Sequence, residues 1–209
     1  MKISLGDTDF IAAGKALIWP SKNAVVVADV HLGKSSYFQT HGMLIPEQTL
    51  RHDLDRILDH MSQYDAERLI VLGDLFHHER GLTSEFLETF AWWRHRYPFE
   101  LVLIEGNHDR RITYPEEWGL VVEPEMDWEG LSFRHEWDDK AIKPQLVGHL
   151  HPALSIGRGA DRVRVPCFWV RPQGIVLPAF TDLSGHYHVK LAPDESAVLV
   201  TPQGHIQIP

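Results

Sequence analysis

Five motifs contain side chains that bind divalent metal ions, and they lie in order along this 209-residue chain. The motifs are Asp29-Val30-His31, Gly73-Asp74, Gly106-Asn107-His108-Asp109, His135 and Gly148-His149-Leu150-His151. Carboxylate, imidazole and carboxamide groups are ligands that hard and borderline divalent metals accept. A set of this size can hold two metal ions side by side, and such paired ions serve in phosphoester hydrolysis. The residue types and their order therefore indicate a metal-dependent phosphoesterase.

Each motif alone has a structural explanation as well as a chemical one. Asp29 and His31 would both face one ion at the end of an extended strand, yet the pair could equally form a turn or a buried polar contact. His149 and His151 share one face if their segment is a strand, and either could instead be a core histidine. Asp74 follows a glycine, and the missing side-chain bulk would let its carboxylate bridge two metals. The joint occurrence of the motifs favours the metal site.

Three apolar runs rich in β-branched residues predict strands that are buried on both faces. The runs cover residues 24–28, 69–72 and 101–104. Asp29, Asp74 and Asn107 follow these runs within one to three residues. In α/β sheets, ligands bind beyond the carboxyl ends of the strands. The strands are therefore predicted to deliver these three side chains to a common edge.

Helical spacing of apolar residues predicts one helix over residues 46–61, with Pro46 in its first turn. A second helix is predicted to begin at Thr83 or Ser84 and to end before Pro98. Together with the three strands they form a β-α-β-α-β unit.

After about residue 120, shorter apolar segments between glycines and prolines predict further strands. These segments are residues 131–133, 146–147, 163–170, 175–177, 197–200 and 205–208. The predicted fold class is α/β (α+β), with two packed β-sheets and outer helices in one domain spanning residues 1–209.

The composition is that of a globular protein, with 44% hydrophobic and 23% charged residues. No stretch approaches the roughly 20 apolar residues of a membrane span, and Asp7 argues against a secretory signal. We therefore expect a cytoplasmic protein with no membrane partner. Cys167 is the only cysteine, so an internal disulfide and a thiolate cluster are excluded. The metal ligands must be oxygen and nitrogen atoms.

The formal net charge of −9 disfavours broad electrostatic attachment to nucleic acid unless positive charge is concentrated locally. Two divalent ions would add four positive charges to the predicted site. Asp29, Asp74 and a hydroxide would supply about three negative charges. The site would then remain electropositive and attract an anionic phosphate.

With these motifs, residues 29–151 resemble the calcineurin-like metallophosphoesterase superfamily. The resemblance implies a sandwich of two mixed β-sheets flanked by helices, with two divalent ions as cofactors. One ion would be bound by Asp29, His31, Asp74 and His151, and the second by Asp74, Asn107, His135 and His149. His135 lacks the glycine often found after that histidine, so a plain exposed histidine is its alternative.

The resemblance also implies roles in the reaction. His108 would face the scissile phosphate as a general acid, while Asp109 would orient the imidazole and favour its charged form. Two ions about 3.5–4 Å apart would activate a water molecule for attack on phosphorus. Manganese is the expected metal, with iron and zinc as alternatives.

A closer resemblance is to the bacterial ligase-associated DNA damage response endonuclease group. Its motifs are residues 28–34, 45–46, 165–169 and 177–180. The resemblance implies a phosphodiester substrate in DNA, endonuclease activity in DNA repair, and a functional link to a DNA ligase, a helicase and an exonuclease. Lys34, His77 and Arg110 are candidate substrate contacts beside the metal motifs, and each could also be a solvated surface residue.

Two alternative functions remain open. Gly33-Lys34-Ser35 ends like a Walker A motif, and residues 69–74 resemble a strand with a Walker B acid, which would indicate a P-loop nucleotide-binding protein. Ala28 replaces the first glycine of that motif, and Asp29 would place a carboxylate beside the phosphates. The second alternative is a nucleotide or lipid-nucleotide pyrophosphatase or phosphatase of the same superfamily. The lipid-nucleotide branch carries arginine where this chain has His108.

Overall fold

The structure is a computed structural model that describes residues 1–43 and 50–209. The strands are β1 (Lys2–Leu5), β2 (Thr8–Ala13), β3 (Ala16–Trp19), β4 (Ala24–Val27), β5 (Arg68–Leu72), β6 (Glu100–Ile104), β7 (Leu120–Glu123), β8 (Met126–Trp128), β9 (Leu131–Phe133), β10 (Gln145–Val147), β11 (Pro152–Ile156), β12 (Val163–Arg171), β13 (Gly174–Val176), β14 (Tyr187–His188), β15 (Ser196–Thr201) and β16 (Gly204–Ile208). The helices are α1 (Lys34–Thr40), α2 (Leu50–Gln63) and α3 (Ser84–Arg96). Two packed mixed sheets with outer helices confirm the predicted fold class.

The first sheet has the strand order β1-β2-β3-β4-β5-β6-β7. Strands β1 to β4 pair antiparallel, and β4 to β7 pair parallel. The parallel strands β4, β5 and β6 are joined through α2 and α3, which confirms the predicted β-α-β-α-β unit. Their carboxyl ends therefore lie at one edge of the sheet.

The second sheet has the order β14-β11-β12-β13-β10-β9-β8, with β15 also paired to β12 and β16 paired to β15. It contains every strand that the short apolar segments after residue 120 predict. Strand β10 pairs parallel with both β9 and β13. The carboxyl ends of β9 and β10 therefore point to the same edge, where their following loops can meet the loops of the first sheet.

The core has separate layers on the two faces of the first sheet. Val25 and Val27 of β4 pack with Leu54 of α2 on the helix side. Val26 faces the other way and packs with Phe168 in the layer between the sheets. A strand buried on both faces needs an uninterrupted apolar sequence, which explains the run at 24–28. This rigid double layer supports the loops at the carboxyl edge.

Several elements differ from the sequence prediction or extend it. The described part of the first long helix begins at Leu50, and the predicted start at Pro46 lies outside the described residues. Thr83, one of two candidates, is the N-cap of α3, because its hydroxyl accepts the N–H of Phe86 at 3.2 Å. Strands β1 to β3 and helix α1 were not predicted. None of the helices in residues 1–43 and 50–209 has the length and apolar character that crossing a membrane requires.

Candidate metal centre

The predicted ligands converge from loops of both sheets. They are Asp29 and His31 after β4, Asp74 after β5, Asn107 after β6, His135 after β9, and His149 and His151 after β10. Potential ligand atoms of Asp29, His31 and His151 lie within 4.8 Å of one another. Those of Asp29, Asp74 and His135 form a second such group. The first group lies within the first ligand set that the resemblance implies, and the second contains Asp74 and His135 of the second set. Asp29 is common to the two groups, whereas the resemblance makes Asp74 the shared ligand.

His135 lies inside the second group and is only 5% exposed, so the alternative of a plain exposed histidine is wrong. Its Nδ1 lies 2.9 Å from the carbonyl oxygen of Leu72, which can only accept a hydrogen bond. The opposite nitrogen, Nε2, is 3.1 Å from Asn107 Oδ1, 3.1 Å from His149 Nδ1 and 3.6 Å from Asp74 Oδ2. The Leu72 carbonyl therefore orients Nε2 toward the other potential ligands.

His151 is oriented in the same way on the other side of the site. Its Nδ1 lies 3.1 Å from the carbonyl oxygen of Gly185, and its Nε2 lies 3.3 Å from Asp29 Oδ1. Burial lowers the pKa of His151, but the Asp29 carboxylate outweighs burial, so the pKa is raised above its ordinary value. The Asp29 carboxylate therefore favours the charged form of this imidazole in the metal-free protein.

Five of the predicted ligands have a left-handed backbone conformation. They are Asp29 (φ 52°), His31 (φ 51°), Asp74 (φ 52°), His149 (φ 67°) and His151 (φ 51°). The expectation that Asp29 and His31, and likewise His149 and His151, lie on extended strands is therefore wrong. This conformation is uncommon for residues with a side chain and costs about 1–2 kcal/mol each. Backbone strain of this kind is typical of functional sites.

Glycines let the loops approach each other closely. A Cβ atom at Gly73 would lie 2.0 Å from His135 Nδ1, and one at Gly106 would lie 2.2 Å from Asp74 Oδ1. Gly73 also has a φ of +78°, which favours glycine. The missing side chain of Gly73 therefore makes room for the imidazole of His135.

The buried polar atoms fit a divalent cation. Asp29 is fully buried, and within the described residues its Oδ1 atom accepts no hydrogen bond of good geometry, its contact with His151 Nε2 being an ion pair only when that imidazole is charged. Burial raises the pKa of Asp74, and burial together with the charge of Lys34 lowers the pKa of His31. A buried carboxylate oxygen without a donor is costly, whereas a cation would satisfy it. A neutral imidazole is also the form that binds metal.

His108 and His77 form one wall of the site together with His31. Potential ligand atoms of these three histidines lie within 4.8 Å of one another. The rings of His77 and His108 stack with centroids 5.0 Å apart. His108 Nδ1 lies 2.7 Å from the backbone carbonyl oxygen of His77, and His108 Nε2 lies 3.9 Å from Asp74 Oδ2. Burial and the charge of Lys34 lower the pKa of His77 to about 3, so its imidazole is neutral at pH 7.

The orienting role expected of Asp109 is wrong. Its fully buried carboxylate accepts backbone N–H groups from Asp74 at 2.6 Å, Gly106 at 3.0 Å and Phe76 at 3.3 Å. The His77 carbonyl, rather than Asp109, holds the imidazole of His108. Asp109 therefore joins the loops after β5 and β6, because each of its hydrogen bonds ends on one of them.

The candidate substrate contacts lie at different depths. Lys34 is partly buried at the start of α1, and burial lowers its pKa while the nearby carboxylates of Asp29 and Asp74 oppose that effect. His77 lies against His108, as described above. Arg110 is exposed in the 3-10 turn Asp109–Arg111. Lys34 and His77 are thus beside the clustered ligands, whereas Arg110 is on the rim.

The Walker A alternative conflicts with the backbone of this loop. A phosphate-binding loop needs free N–H groups that point at the phosphates. The N–H groups of Asp29, His31, Leu32 and Lys34 instead donate to backbone carbonyl oxygens, at distances between 2.8 and 3.2 Å. These N–H groups are therefore already hydrogen-bonded within the protein and are not free to bind phosphate. The P-loop interpretation is wrong.

Three histidines of the site are oriented by the backbone carbonyl groups of Leu72, His77 and Gly185, which the sequence does not indicate. Every residue has a backbone carbonyl, so residue type carries no signal for this role. Only the distances to the Nδ1 atoms of His135, His108 and His151 identify them.

A family model and a solved nuclease structure agree with the fold. The nuclease MPE from Pseudomonas putida is similar to this chain, with 31% identity, a TM-score of 0.83 and 96% of each chain covered. Yfce, a phosphoesterase from E. coli, aligns with 17% identity and a TM-score of 0.43, covering 88% of this chain and 97% of that chain. No curated protein matches the chain in sequence. The model of the calcineurin-like phosphoesterases matches residues 23–167, more than half of the sequence, and the chain therefore belongs to this family.

Proposed function

We propose that the chain is a manganese-dependent phosphodiesterase that cleaves DNA. The observation that carries this proposal is the buried cluster of carboxylate and imidazole groups around Asp29, Asp74 and His135. The similarity to a nuclease over 96% of both chains supports nucleic acid as the substrate class. The ligase-associated endonuclease group named above is consistent with that similarity.

Two ligand sets are proposed within the cluster. One ion would be held by Asp29, His31, Asp74 and His151, and the other by Asp74, Asn107, His135 and His149. Bound divalent ions would supply Lewis acidity, which activates water and offsets the negative charge of the phosphoryl group. Oxygen and imidazole ligands suit manganese, and they also accept iron and zinc.

His108 is the proposed general acid. The His77 carbonyl can only accept, so Nδ1 of His108 carries a hydrogen in that contact. The opposite atom, Nε2, faces Asp74 at 3.9 Å and is therefore directed into the cluster. In the imidazolium form, Nε2 can donate its proton to the leaving oxygen of the substrate. Lys34 and His77 are proposed to contact phosphate oxygens from the same side.

The decisive experiment measures metal content and hydrolysis on protein purified without chelator. The substrates are an aryl phosphodiester, an aryl phosphomonoester, ATP and single-stranded DNA, each with and without manganese. We expect manganese-stimulated cleavage of the diester and of DNA. Preferential turnover of ATP or the monoester would favour the pyrophosphatase or phosphatase alternative.

Asp74→Asn should remove most of the manganese-stimulated diester cleavage, because it halves the charge of the two carboxylates that the cluster contains. The exposed Asp194 provides a matched control, and Asp194→Asn should cleave at the wild-type rate. Metal analysis of both variants accompanies the assay. Diester cleavage by Asp74→Asn at the wild-type rate would refute the assignment of this carboxylate.

We further propose that the chain acts in the cytoplasm in DNA repair as an endonuclease, linked to a DNA ligase, a helicase and an exonuclease. Circular single-stranded DNA tests the endonuclease part, because a circle has no ends. Conversion of the circle to linear fragments is expected. Degradation of linear strands alone would assign exonuclease activity instead.

A further inference from the structure

Positive charge is concentrated on the hairpin that follows His151, although the chain as a whole carries a formal net charge of −9. The segment from Ile156 to Arg164 contains three arginines and a single acid, Asp161. It connects and includes the ends of β11 and β12. Local charge of this kind is what an acidic protein needs in order to hold a polyanion.

The arginines of this hairpin differ from several other arginines of the chain in their ion pairing. Arg56, Arg68, Arg134 and Arg171 each lie within 4.0 Å of an acidic side chain. Within residues 1–43 and 50–209, none of the ion pairs involves Arg158, Arg162 or Arg164. Their charge is therefore available to a partner.

Two of these arginines lie on one face of the sheet. Arg162 immediately precedes β12 with an extended backbone (φ −75°, ψ 118°), two residues before Arg164, so the two side chains point to the same side. Arg164 pairs in register with Ser155 of β11. Ser155 Oγ is 3.3 Å from His188 Nδ1, and Arg162 Nη2 is 3.4 Å from His188 Nε2. We define these residues, Arg162, Arg164 and His188, as the basic face.

The opposite side of the same strands packs into the protein. Leu154 and Val165 pair in register and contact the hydrophobic cluster that contains Cys167 and Val176. Arg162 and Arg164 are both exposed. The basic face is therefore a solvent-facing surface of the second sheet, backed by a packed core that holds it in place.

The basic face is continuous with the metal centre. Strand β11 begins immediately after His151, so Ser155 and its partner Arg164 lie about 13 Å along the strand from that histidine. Tyr187 of β14 joins the two, because its N–H donates to the His151 carbonyl oxygen at 3.1 Å.

Tyr187 lies on the opposite face of these strands. It pairs in register with Pro152, whereas His188 pairs with Ala153, and adjacent strand residues point to opposite sides of a sheet. Its ring stacks on Trp169, with the ring planes 16° apart, and Trp169 belongs to the hydrophobic cluster that contains Cys167. The basic face is therefore defined by its charged and imidazole side chains alone.

We propose that the basic face binds backbone phosphates of the DNA strand that leaves the metal centre. This inference depends on the proposed function for the identity of the substrate. The distance of about 13 Å from His151 is several times the rise of about 3.4 Å per nucleotide of a strand. The face thus contacts the flank of the substrate rather than the bond that is cleaved.

The test compares Arg162→Ala/Arg164→Ala with a control that removes two positive charges elsewhere. Lys22 precedes β4 and Arg96 ends α3, so Lys22→Ala/Arg96→Ala changes the edge opposite the metal centre. Binding of a labelled single-stranded oligonucleotide is measured with EDTA present, over a series of salt concentrations. Hydrolysis of the oligonucleotide and of an aryl phosphodiester is measured with manganese.

We expect the Arg162→Ala/Arg164→Ala variant to bind the oligonucleotide at least tenfold more weakly at low salt. A plot of log K against log salt has a negative slope, and its magnitude should decrease by about 1.4, the effect of losing two phosphate contacts on a single strand. Its loss of oligonucleotide cleavage should exceed its loss of aryl diester cleavage at least tenfold. Tyr187→Ala changes the opposite face of the same strands and should bind the oligonucleotide like the wild type. The control should bind like the wild type.

The outcomes separate this inference from the proposed function. Equal weakening by the control pair, or wild-type binding by the Arg162→Ala/Arg164→Ala variant, would overturn the basic face while leaving diester hydrolysis intact. A wild type that hydrolyses no diester, yet binds the oligonucleotide through Arg162 and Arg164, would refute the proposed function alone. Weakening by Tyr187→Ala equal to that of Arg162→Ala/Arg164→Ala would likewise overturn the assignment to the basic face.

Discussion

Each oxygen of the Asp74 carboxylate has a separate role. Oδ1 accepts the backbone N–H of His108 at 2.9 Å, which fixes the loop that carries the proposed general acid. Oδ2 lies 3.6 Å from His135 Nε2 and 3.9 Å from His108 Nε2. One oxygen therefore positions the loop while the other faces the proposed ligands. A change at this carboxylate disturbs both functions.

His108→Ala should slow cleavage of DNA by about 10²- to 10⁴-fold, the usual contribution of a general acid. An aryl diester should be affected less, because its leaving group departs without a proton. Metal content should stay at the wild-type value. Kinetics on both substrates and metal analysis check this expectation. Loss of metal from the variant would show that His108 is a ligand and that its assignment here is wrong.

Asp109→Asn should destabilise the fold by about 1–3 kcal/mol, because a carboxamide has one acceptor oxygen and cannot receive all three backbone N–H groups. Denaturant unfolding of the variant beside Asp194→Asn measures the difference. Metal content should fall as well, since the loops after β5 and β6 carry ligands. A variant as stable as the control would contradict the role of Asp109 in joining these loops.

Helices and strands position the loops of the candidate site, and local contacts determine where each helix begins and ends. Helix α3 returns the chain from β5 to β6, so its position determines how the Asp74 and Asn107 loops meet. The Thr83 hydroxyl satisfies the N–H of Phe86, one of the donors that lack a partner within the first turn. The register of α3 against the sheet is then set by buried residues such as Phe90 and Trp93.

Thr83→Ala should lower the free energy of unfolding by about 1 kcal/mol, because the N-cap acceptor is lost. Thr83→Ser keeps the hydroxyl and should retain most of the stability. Ser84→Ala, one residue further along, is the matched control. Urea unfolding of the three variants measures the effect. An equal loss in Ser84→Ala would mean that Ser84 is the effective cap.

An ion-pair cluster holds the loop that orients His151. Lys15 Nζ donates to the Thr181 carbonyl at 2.8 Å and lies 2.6 Å from Asp182 Oδ1. Arg56 of α2 lies 3.3 Å from the other carboxylate oxygen of Asp182. The same loop supplies the Gly185 carbonyl to His151. The cluster thereby connects the first sheet and α2 to a proposed ligand on the second sheet.

Lys15→Met should therefore reduce the rise in melting temperature that manganese causes. This reduction should exceed the fall in the melting temperature of the metal-free protein. The exposed pair of Lys143 and Asp127, 2.7 Å apart, is the control, and Lys143→Met should change neither quantity. Melting temperatures with manganese and with EDTA give both values. A Lys15→Met variant with an unaltered manganese-induced shift would refute the orienting role of the loop.

The metal centre lies where the two sheets meet, so metal binding and the stability of the whole fold are coupled. Asp29 and Asp74 come from the first sheet, whereas His135, His149 and His151 follow strands of the second. Unfolding separates these ligands and destroys the site. A ligand that binds only the folded state stabilises it.

Chelation should therefore lower the melting temperature. Free manganese at a hundredfold excess over Kd stabilises the folded state by about 2.7 kcal/mol. For a chain of this size that free energy corresponds to about 5–10 °C. Calorimetry with manganese and with EDTA measures the shift, and His149→Ala should reduce it. Identical melting temperatures in the two buffers would contradict a centre assembled between the sheets.

The sequence alone predicted the candidate ligands, the strands that carry three of them and the fold class, and the structure confirms the strands and the fold class. Strands buried on both faces can be predicted from uninterrupted apolar runs because such strands exclude polar residues. Asp29, Asp74 and Asn107 were located because they follow those runs directly. The general outline of the centre was therefore predictable from local pattern and composition.

The tertiary structure decided how these residues work together. It buried His135, gave Asp109 three backbone donors and placed the Gly185 carbonyl on His151. It also turned the ligand segments into left-handed conformations that extended strands would not adopt. These features arise from contacts between residues as far as 120 positions apart, such as His149 and Asp29. No local pattern encodes them, because a backbone carbonyl or a left-handed turn acquires its role only from the segment packed against it.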